Sequence, residues 1–251
     1  MSRDFTLHKY EQLLNALTKA GYEFQTFRAF IESPKECVVV LRHDVDKLPQ
    51  NALDMALIEQ QLGINASYYF RVVKSVFKPD IVRDIEAMGN EIGYHYEDVD
   101  LENGNLEESY NSFKRHLAQF REVADIKTIC MHGSPLSKYD NRLLWEKYSY
   151  KGLGLLAEPY FDVDYNQVLY ITDTGRSWNN SDVSIRDKVN SKFDFKIKNT
   201  DDLIALINSG KLPNQIMINT HPQRWSDSWR IWTTELIIQN IKNQVKKILV
   251  R

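Results

Sequence analysis

Cysteine is nearly absent: the 251-residue chain has only Cys37 and Cys130, each inside an apolar run. A disulfide framework is thereby excluded, and the pair reads as reduced core thiols, which suits a cytoplasmic protein. No apolar run approaches the roughly 20 residues that a transmembrane helix needs. The N-terminal MSRDFTLHKYEQLL has no apolar segment with a small-residue cleavage site, so no secretory leader is expected. Charge of one sign is missing too. Lys and Arg number 32 against 34 Asp and Glu, a net charge of -2, which removes the whole-chain electrostatic case for nucleic acid or an anionic membrane. What is present is an ordinary globular composition, 43% hydrophobic and 26% charged, long enough for one α/β barrel.

Apolar runs and amphipathic segments alternate along the chain. Tyr10, Leu13, Leu14 and Leu17 share a helical face that stops at Gly21. Strands are expected at Cys37–Leu41, Ala66–Phe70, Glu91–Tyr94, Lys127–Met131, Val168–Thr172 and Gln215–Asn219. Helices are expected from about Asn51 to Leu62, Pro79 to Met88 and Leu106 to Val123. A last helix carries a stripe of Ile237, Ile241, Val245 and Ile248. This alternation implies parallel pairing through right-handed crossovers. No repeat, low-complexity tract or linker intervenes, so residues 1–251 read as a single α/β domain. Residues 173 to 200, polar and poorly periodic, read as a long loop within it.

Five apolar runs end in a polar cluster: VVVLR in HDVD, EIGY in HYE, KTICM in HGSP, VLYIT in DTGRSW and QIMINT in HPQRW. In a barrel of parallel strands the C-terminal strand ends converge on one face, which carries the active site. Four of the six histidines, His43, His95, His132 and His221, lie at such ends, accompanied by Asp44, Asp46, Glu97 and Asp173. Together they read as one site. Of the four, His43 has the ring that can most simply pack beneath its loop. His8 and His116 fall in predicted helices and read as surface residues.

Two neighbouring carboxylates repel each other unless a cation, a shared proton or water relieves them. Imidazoles and carboxylates without thiolates suit zinc, or another borderline divalent ion such as iron, nickel or cobalt. A catalytic site of that kind keeps three protein ligands and an open position for water. A carboxylate not spent on the metal can take a proton from water, and a histidine opposite can protonate the leaving group. The paired aspartates then divide the work, one as ligand and one as base. Tyr94, Tyr96, Trp178 and Trp225 can stack on sugar rings, or pack as core beneath the loops. Arg176 and Arg224 can meet a substrate carboxylate or phosphate, or anchor a catalytic aspartate.

HDVD after a strand, GNEIGYHYE at the third strand and NTHPQRW near the C-terminus resemble, as an ordered set, the polysaccharide deacetylases. These are the NodB-homology or carbohydrate esterase family 4 group, here in a divergent branch associated with O-antigen and surface-polysaccharide gene clusters. The resemblance runs from about residue 36 to 225. It implies a distorted (β/α)7 barrel of parallel strands, NodB-like, and a metal-dependent hydrolase that removes an N-acetyl group from a sugar. The implied substrate is a sugar nucleotide or glycan precursor, and the implied cofactor a divalent metal, zinc first. Nucleic acid and a membrane-spanning segment have no part in this reading.

The family's Thr-Phe-Asp-Asp motif places Asp44 as base and shifts the second carboxylate, a metal ligand, to Asp46. Its His-x-x-x-His motif makes His95 a ligand, with Val99 where the second histidine would stand. His132-Gly133-Ser134-Pro135 replaces its Arg-x-Pro-(Phe/Tyr), leaving His132 as first choice for the third ligand and Glu97 as second. The last motif matches Ile216–His221 and makes His221 the acid. His43, Tyr96, Glu97, Asp173, Arg176, Trp178, Arg224 and Trp225 are left to bind substrate.

Two other readings fit the residues. One is an amidohydrolase acting on a non-sugar C–N bond, such as a ureide or cyclic imide; the other is a sugar-binding relative without catalysis. Exposure of Trp178 or Trp225 in the cleft separates the sugar reading from the first. Metal binding and a perturbed Asp44 separate an enzyme from the second.

Overall fold

Strand-forming runs covered on both faces need helices to cover them, and the amphipathic segments supply these. The structure, a computed structural model, describes residues 3–133, 137–178 and 189–249, with side chains as far as residue 245. In chain order the elements are α1 (Leu7–Lys19), β1 (Glu23–Gln25), α2 (Phe27–Glu32), β2 (Val38–Val45), α3 (Pro49–Gln61) and β3 (Ser67–Phe70). Then come α4 (Pro79–Ala87), β4 (Glu91–Tyr96), α5 (Asp98–Leu101), α6 (Leu106–Arg121), β5 (Ile129–Met131) and α7 (Leu144–Lys147). The chain finishes with α8 (Pro159–Asp162), β6 (Leu169–Thr172), α9 (Thr200–Asn208), β7 (Gln215–Thr220) and α10 (Trp229–Leu249). Local signals set several boundaries: the Thr6 side chain caps α1 by accepting the Lys9 N–H, and Pro49 and Pro79 open α3 and α4.

Every strand pairing is parallel. The sheet order is β5-β4-β3-β2-β7-β6, with β1 against Val38–Val40 and β3 against Arg42–Val45 of β2. Beyond β5 the next position is reduced to a single bridge, Thr128 to Ala157. The sheet thus curls into a half-barrel, open among the described residues between Ala157 and β6, as a distorted (β/α) barrel. β1 and α2 were not foreseen. Nor was α9, which begins at Thr200 where the stretch read as a loop ends; of that stretch residues 179–188 lie outside the described residues.

Strand alternation sorts the side chains into two clusters. Val38, Val40, Tyr69, Cys130, Tyr170 and Met217 pack inside the curve, while Val39, Leu41, Val45, Tyr94, Ile129 and Ile218 pack outward under the helices. Gly93 belongs to the inner face. A Cβ there would meet the Tyr69 ring at 2.3 Å, so only glycine lets that ring fill the interior. α2 closes the opposite end: the Glu91 carboxylate accepts the Arg28 N–H at its first turn at 2.9 Å, and Ser67 Oγ accepts the Phe27 N–H at 2.7 Å.

At the open seam a side chain replaces a strand. The Ile129 N–H donates to the Ala157 carbonyl at 3.2 Å, but the Met131 N–H donates to the Glu158 carboxylate at 3.0 Å. Burial pushes the Glu158 pKa from 4.5 up to about 7, against the pull of the Met131 and Tyr160 amides. A folded-state pKa above the unfolded one favours folding below about pH 4.5, and that contribution is lost as pH rises to about 7. The Glu158→Gln variant, which cannot titrate, should therefore gain stability relative to the parent as pH rises across this window. Urea unfolding at a series of pH values measures it; a constant difference would show that Glu158 titrates normally.

Candidate metal centre

β2 builds the site by running on past its apolar residues. Arg42, Asp44 and Asp46 alternate to the inner face, and His43 and Val45 to the outer. On β4 the same alternation turns Gly93, His95 and Glu97 inward and Tyr94 and Tyr96 outward. His132 follows β5, its N–H donating to the Tyr96 carbonyl at 2.8 Å and its carbonyl accepting from Asn141 at 2.9 Å.

The inward residues meet around Asp46. Its Oδ1 lies 3.4 Å from His95 Nε2 and 3.5 Å from His132 Nε2, and its Oδ2 lies 3.9 Å from His221 Nε2. Ligand atoms of Asp46, His95 and His132 all fall within 4.8 Å of one another. Asp46 Oδ1 is out of contact with solvent and has no hydrogen-bond partner among the described residues. The second ring nitrogens are occupied: His95 Nδ1 donates to the Cys130 carbonyl at 2.9 Å, and His132 Nδ1 stands 3.0 Å from Glu97 Oε2 in ion-pair rather than hydrogen-bond alignment. Each Nε2 can thus present a lone pair toward Asp46, the arrangement that holds a metal-ligating imidazole in place. This donor set, two imidazole nitrogens and a carboxylate oxygen, fits a divalent ion.

Electrostatics keeps the carboxylates ionised. Burial alone would raise Asp46, yet His132, His95 and His221 hold it well below the usual carboxylate range. Asp44 is likewise lowered, burial being outweighed by Arg42, His95 and His221. Asp44 Oδ2 accepts from Arg42 at 3.0 Å and Asn219 at 2.9 Å, while its buried Oδ1 has no partner among the described residues. On the other side His221 Nδ1 is 2.6 Å from Asp173 Oδ1, and its own N–H donates to Asp173 Oδ2 at 3.0 Å. Arg224 and Trp225 Nε1 also donate to Asp173, at 2.5 and 2.8 Å. Imidazole orientation is therefore set by a fully engaged carboxylate, with Nε2 facing the centre.

Several residues expected to bind substrate are elsewhere. His43 is on the outer face, fully buried between Thr220 Oγ1 at 2.6 Å and Glu59 Oε1 at 2.8 Å, because its neighbour Asp44 points inward. Tyr96 packs against Phe113 and Trp145 for the same reason. Trp178 and Trp225, at 3% and 0% exposure, lie in a core aromatic cluster with Phe5. Arg176, at φ 58°, turns away to donate to the Trp232 carbonyl. Glu97 is held by both arms of Arg71, at 2.9 and 2.7 Å, and backs His132. Asp173 and Arg224 hold His221 and do not line an open cleft. His116, expected on the surface, is partly buried against Asp98 at 2.7 Å and Tyr94 at 3.2 Å.

Arg42, Asn219 and Arg71 were missed. Arg42 shares the parity of Asp44 on β2, Asn219 that of His221 on β7, and Arg71 follows β3 at the same face, so the strand-end rule applied with alternation finds all three.

No family profile matches the chain, and no curated protein does. Among solved structures it is similar to the Xyl-CE4 domain of a multidomain xylanase from the hindgut metagenome of Trinervitermes trinervoides, at 15% identity over 84% of this chain and 85% of that one, TM-score 0.43. It is also similar to a family 4 carbohydrate esterase from Streptomyces lividans solved with acetate, at 18% identity, 81% and 90% coverage and TM-score 0.42. A third is a peptidoglycan deacetylase from Bacillus subtilis, at 11% identity, 86% and 97% coverage and TM-score 0.41.

If the donor set acts as the geometry indicates, Asp46→Asn and His95→Ala should each abolish retention of stoichiometric zinc by the purified protein. Glu97→Gln should weaken it about 10- to 100-fold, the usual effect of a group behind a ligand. Elemental analysis and competition with a chromogenic chelator measure both; zinc retained by His95→Ala removes that residue from the ligand set.

Proposed function

We propose that the protein is a zinc-dependent N-deacetylase acting in the cytoplasm on an N-acetylated sugar nucleotide or glycan precursor during surface-polysaccharide synthesis. One observation carries the reading: a buried, unpartnered Asp46 Oδ1 between two oriented imidazoles, flanked by a second carboxylate and a third imidazole. A bound divalent ion would polarise the acyl carbonyl and acidify water.

The chain's own residues supply the proton transfers. Asp44 keeps Oδ2 engaged with Arg42 and Asn219, so Oδ1 is the free acceptor for a proton from water. His221 holds a proton on Nε2 for the leaving amine, and Asp173 stabilises the imidazolium that precedes donation. Asp44 reaches the centre from β2 and His221 from just beyond the neighbouring β7, with His221 Nε2 3.9 Å from Asp46 Oδ2.

The order of the sequence motifs supports a sugar, as do the names of the similar solved structures. The aromatic residues do not, since Tyr96, Trp178 and Trp225 are all packed in the core. Their burial favours, as a second reading, hydrolysis of a smaller non-sugar amide at the same centre.

Acetate release from a panel of N-acetyl sugar nucleotides, with ureides and cyclic imides alongside, tests the choice; turnover confined to the latter decides for the second reading. For whichever substrate turns over, Asp44→Asn and His221→Ala should each lower kcat by about 10²–10⁴-fold with zinc retained. If Asp44→Asn strips the metal while Asp46→Asn spares it, the two aspartates have exchanged roles.

A further inference from the structure

The last helix leaves its most apolar side uncovered. Its body-facing side is mixed: Trp232 packs its ring against Arg176, Gln239 is buried, Asn243 donates to the Gly175 carbonyl at 2.9 Å, and the Trp232 carbonyl accepts from Arg176 at 3.0 Å. The side facing outward is apolar. Ile237 is 55% exposed, Ile238 39%, Ile241 59% and Val245 40%. At 100° per residue these four occupy an arc of about 100°, the width of an apolar face that normally meets something. The stripe read from the sequence is therefore open; the Ile248 side chain lies outside the described ones.

Charge identifies what would meet it. α10 carries Arg230, Lys242, Lys246 and Lys247 against the single carboxylate Glu235, in a chain whose net charge is -2. The near-neutral total conceals this local excess. Lys242 also stands beside Lys47, and burial together with that like charge lowers its ammonium pKa. An anionic surface would neutralise them while accepting the isoleucines. Of these cations Arg230 lies in line with the stripe and Lys242 about 40° beyond its edge, and an apolar face edged by cations is what lets a helix lie in a lipid interface.

We propose that α10 seats the protein on an anionic lipid surface, with Ile237, Ile238, Ile241 and Val245 entering the interface and Lys242 meeting headgroups. The helix is tied to Gly175 and Arg176, just after Asp173, on the side opposite the stripe. The proposal concerns binding and stands whether or not the hydrolase reading does.

The test is sedimentation of the full chain with phosphatidylcholine vesicles, with and without phosphatidylglycerol, at low and high salt. Sedimentation velocity without vesicles reads the oligomeric state. Binding should require phosphatidylglycerol and fall with salt. Lys242→Gln should weaken it about fivefold, and the Ile237→Asp/Ile241→Asp double variant more than about tenfold. Ile241→Ser serves if the double variant loses its helical circular dichroism. Failure of the parent protein to bind anionic vesicles overturns the proposal. So does a concentration-dependent dimer that Ile241→Ser dissociates, which would make the stripe a contact between copies.

Discussion

A carboxylate removed from water costs several kcal/mol unless opposite charge replaces the lost solvent. Asp46 is in that position, and its neighbours answer it from three strand ends: His95 after the core of β4, His132 after β5 and His221 after β7. None of these rings is left to choose its own orientation. The Cys130 carbonyl, Glu97 and Asp173 fix them in turn, and Arg71 and Arg224 fix the two carboxylates. The mouth of the barrel is thus a set of charges arranged in layers about one oxygen, and a divalent cation is the species that would complete it. Without the ion, the charges near His95 favour its protonated form: burial lowers its pKa, but Asp44 and Asp46 more than reverse this. Metal uptake therefore competes with a proton at that ring.

The register of β2 against β7 carries a second network on the other face. Arg42 pairs with Asn219 and His43 with Thr220. Inward, Asn219 donates to Asp44; outward, Thr220 meets His43, which reaches Glu59, and Glu59 also accepts from Tyr10 and Tyr68. A slip of one residue would expose the buried Glu59 network and turn Asp44 outward together. The same hydrogen-bonded pair of strands therefore sets both the packing of α1 and α3 and the position of the proposed base. His43 earns its place here by holding the strand, without touching any ligand.

Much of this was legible in the sequence, and the part that was not has identifiable causes. The apolar runs located six strands to within a few residues, and the polar residues following them located the face that carries the site. Counting strand ends without counting parity is what misplaced His43 and Tyr96, since adjacent strand residues cannot share a face. Trp178 and Trp225 look alike in sequence whether they line a cleft or seal a core. Their indole N–H groups, bonded to Thr200 and Asp173, settle the matter only in three dimensions. β1 is three residues long, too short for a period to be counted, and it pairs along the edge that β2 offers. The α10 stripe was correctly periodic, but periodicity says which residues share a face and not what that face meets.

The interior below the candidate centre ties the proposed base to the charge balance of the fold. Arg42 is fully buried, with Tyr160 and Tyr170 rings 5.4 and 5.6 Å from its guanidinium and Asp44 as its ion-pair partner. Its Nε and Nη1 have no hydrogen-bond partner among the described residues. A buried guanidinium so incompletely paired depends heavily on the one carboxylate it has, and removing one member of such a pair typically costs about 3–5 kcal/mol. Asp44 therefore answers two demands: it must stay ionised to neutralise Arg42, and an ionised carboxylate with a free Oδ1 is what a base requires. The cation that orients Asp44 also keeps it deprotonated, so a single pair on one strand supplies both the barrel's internal charge balance and the acceptor at its mouth.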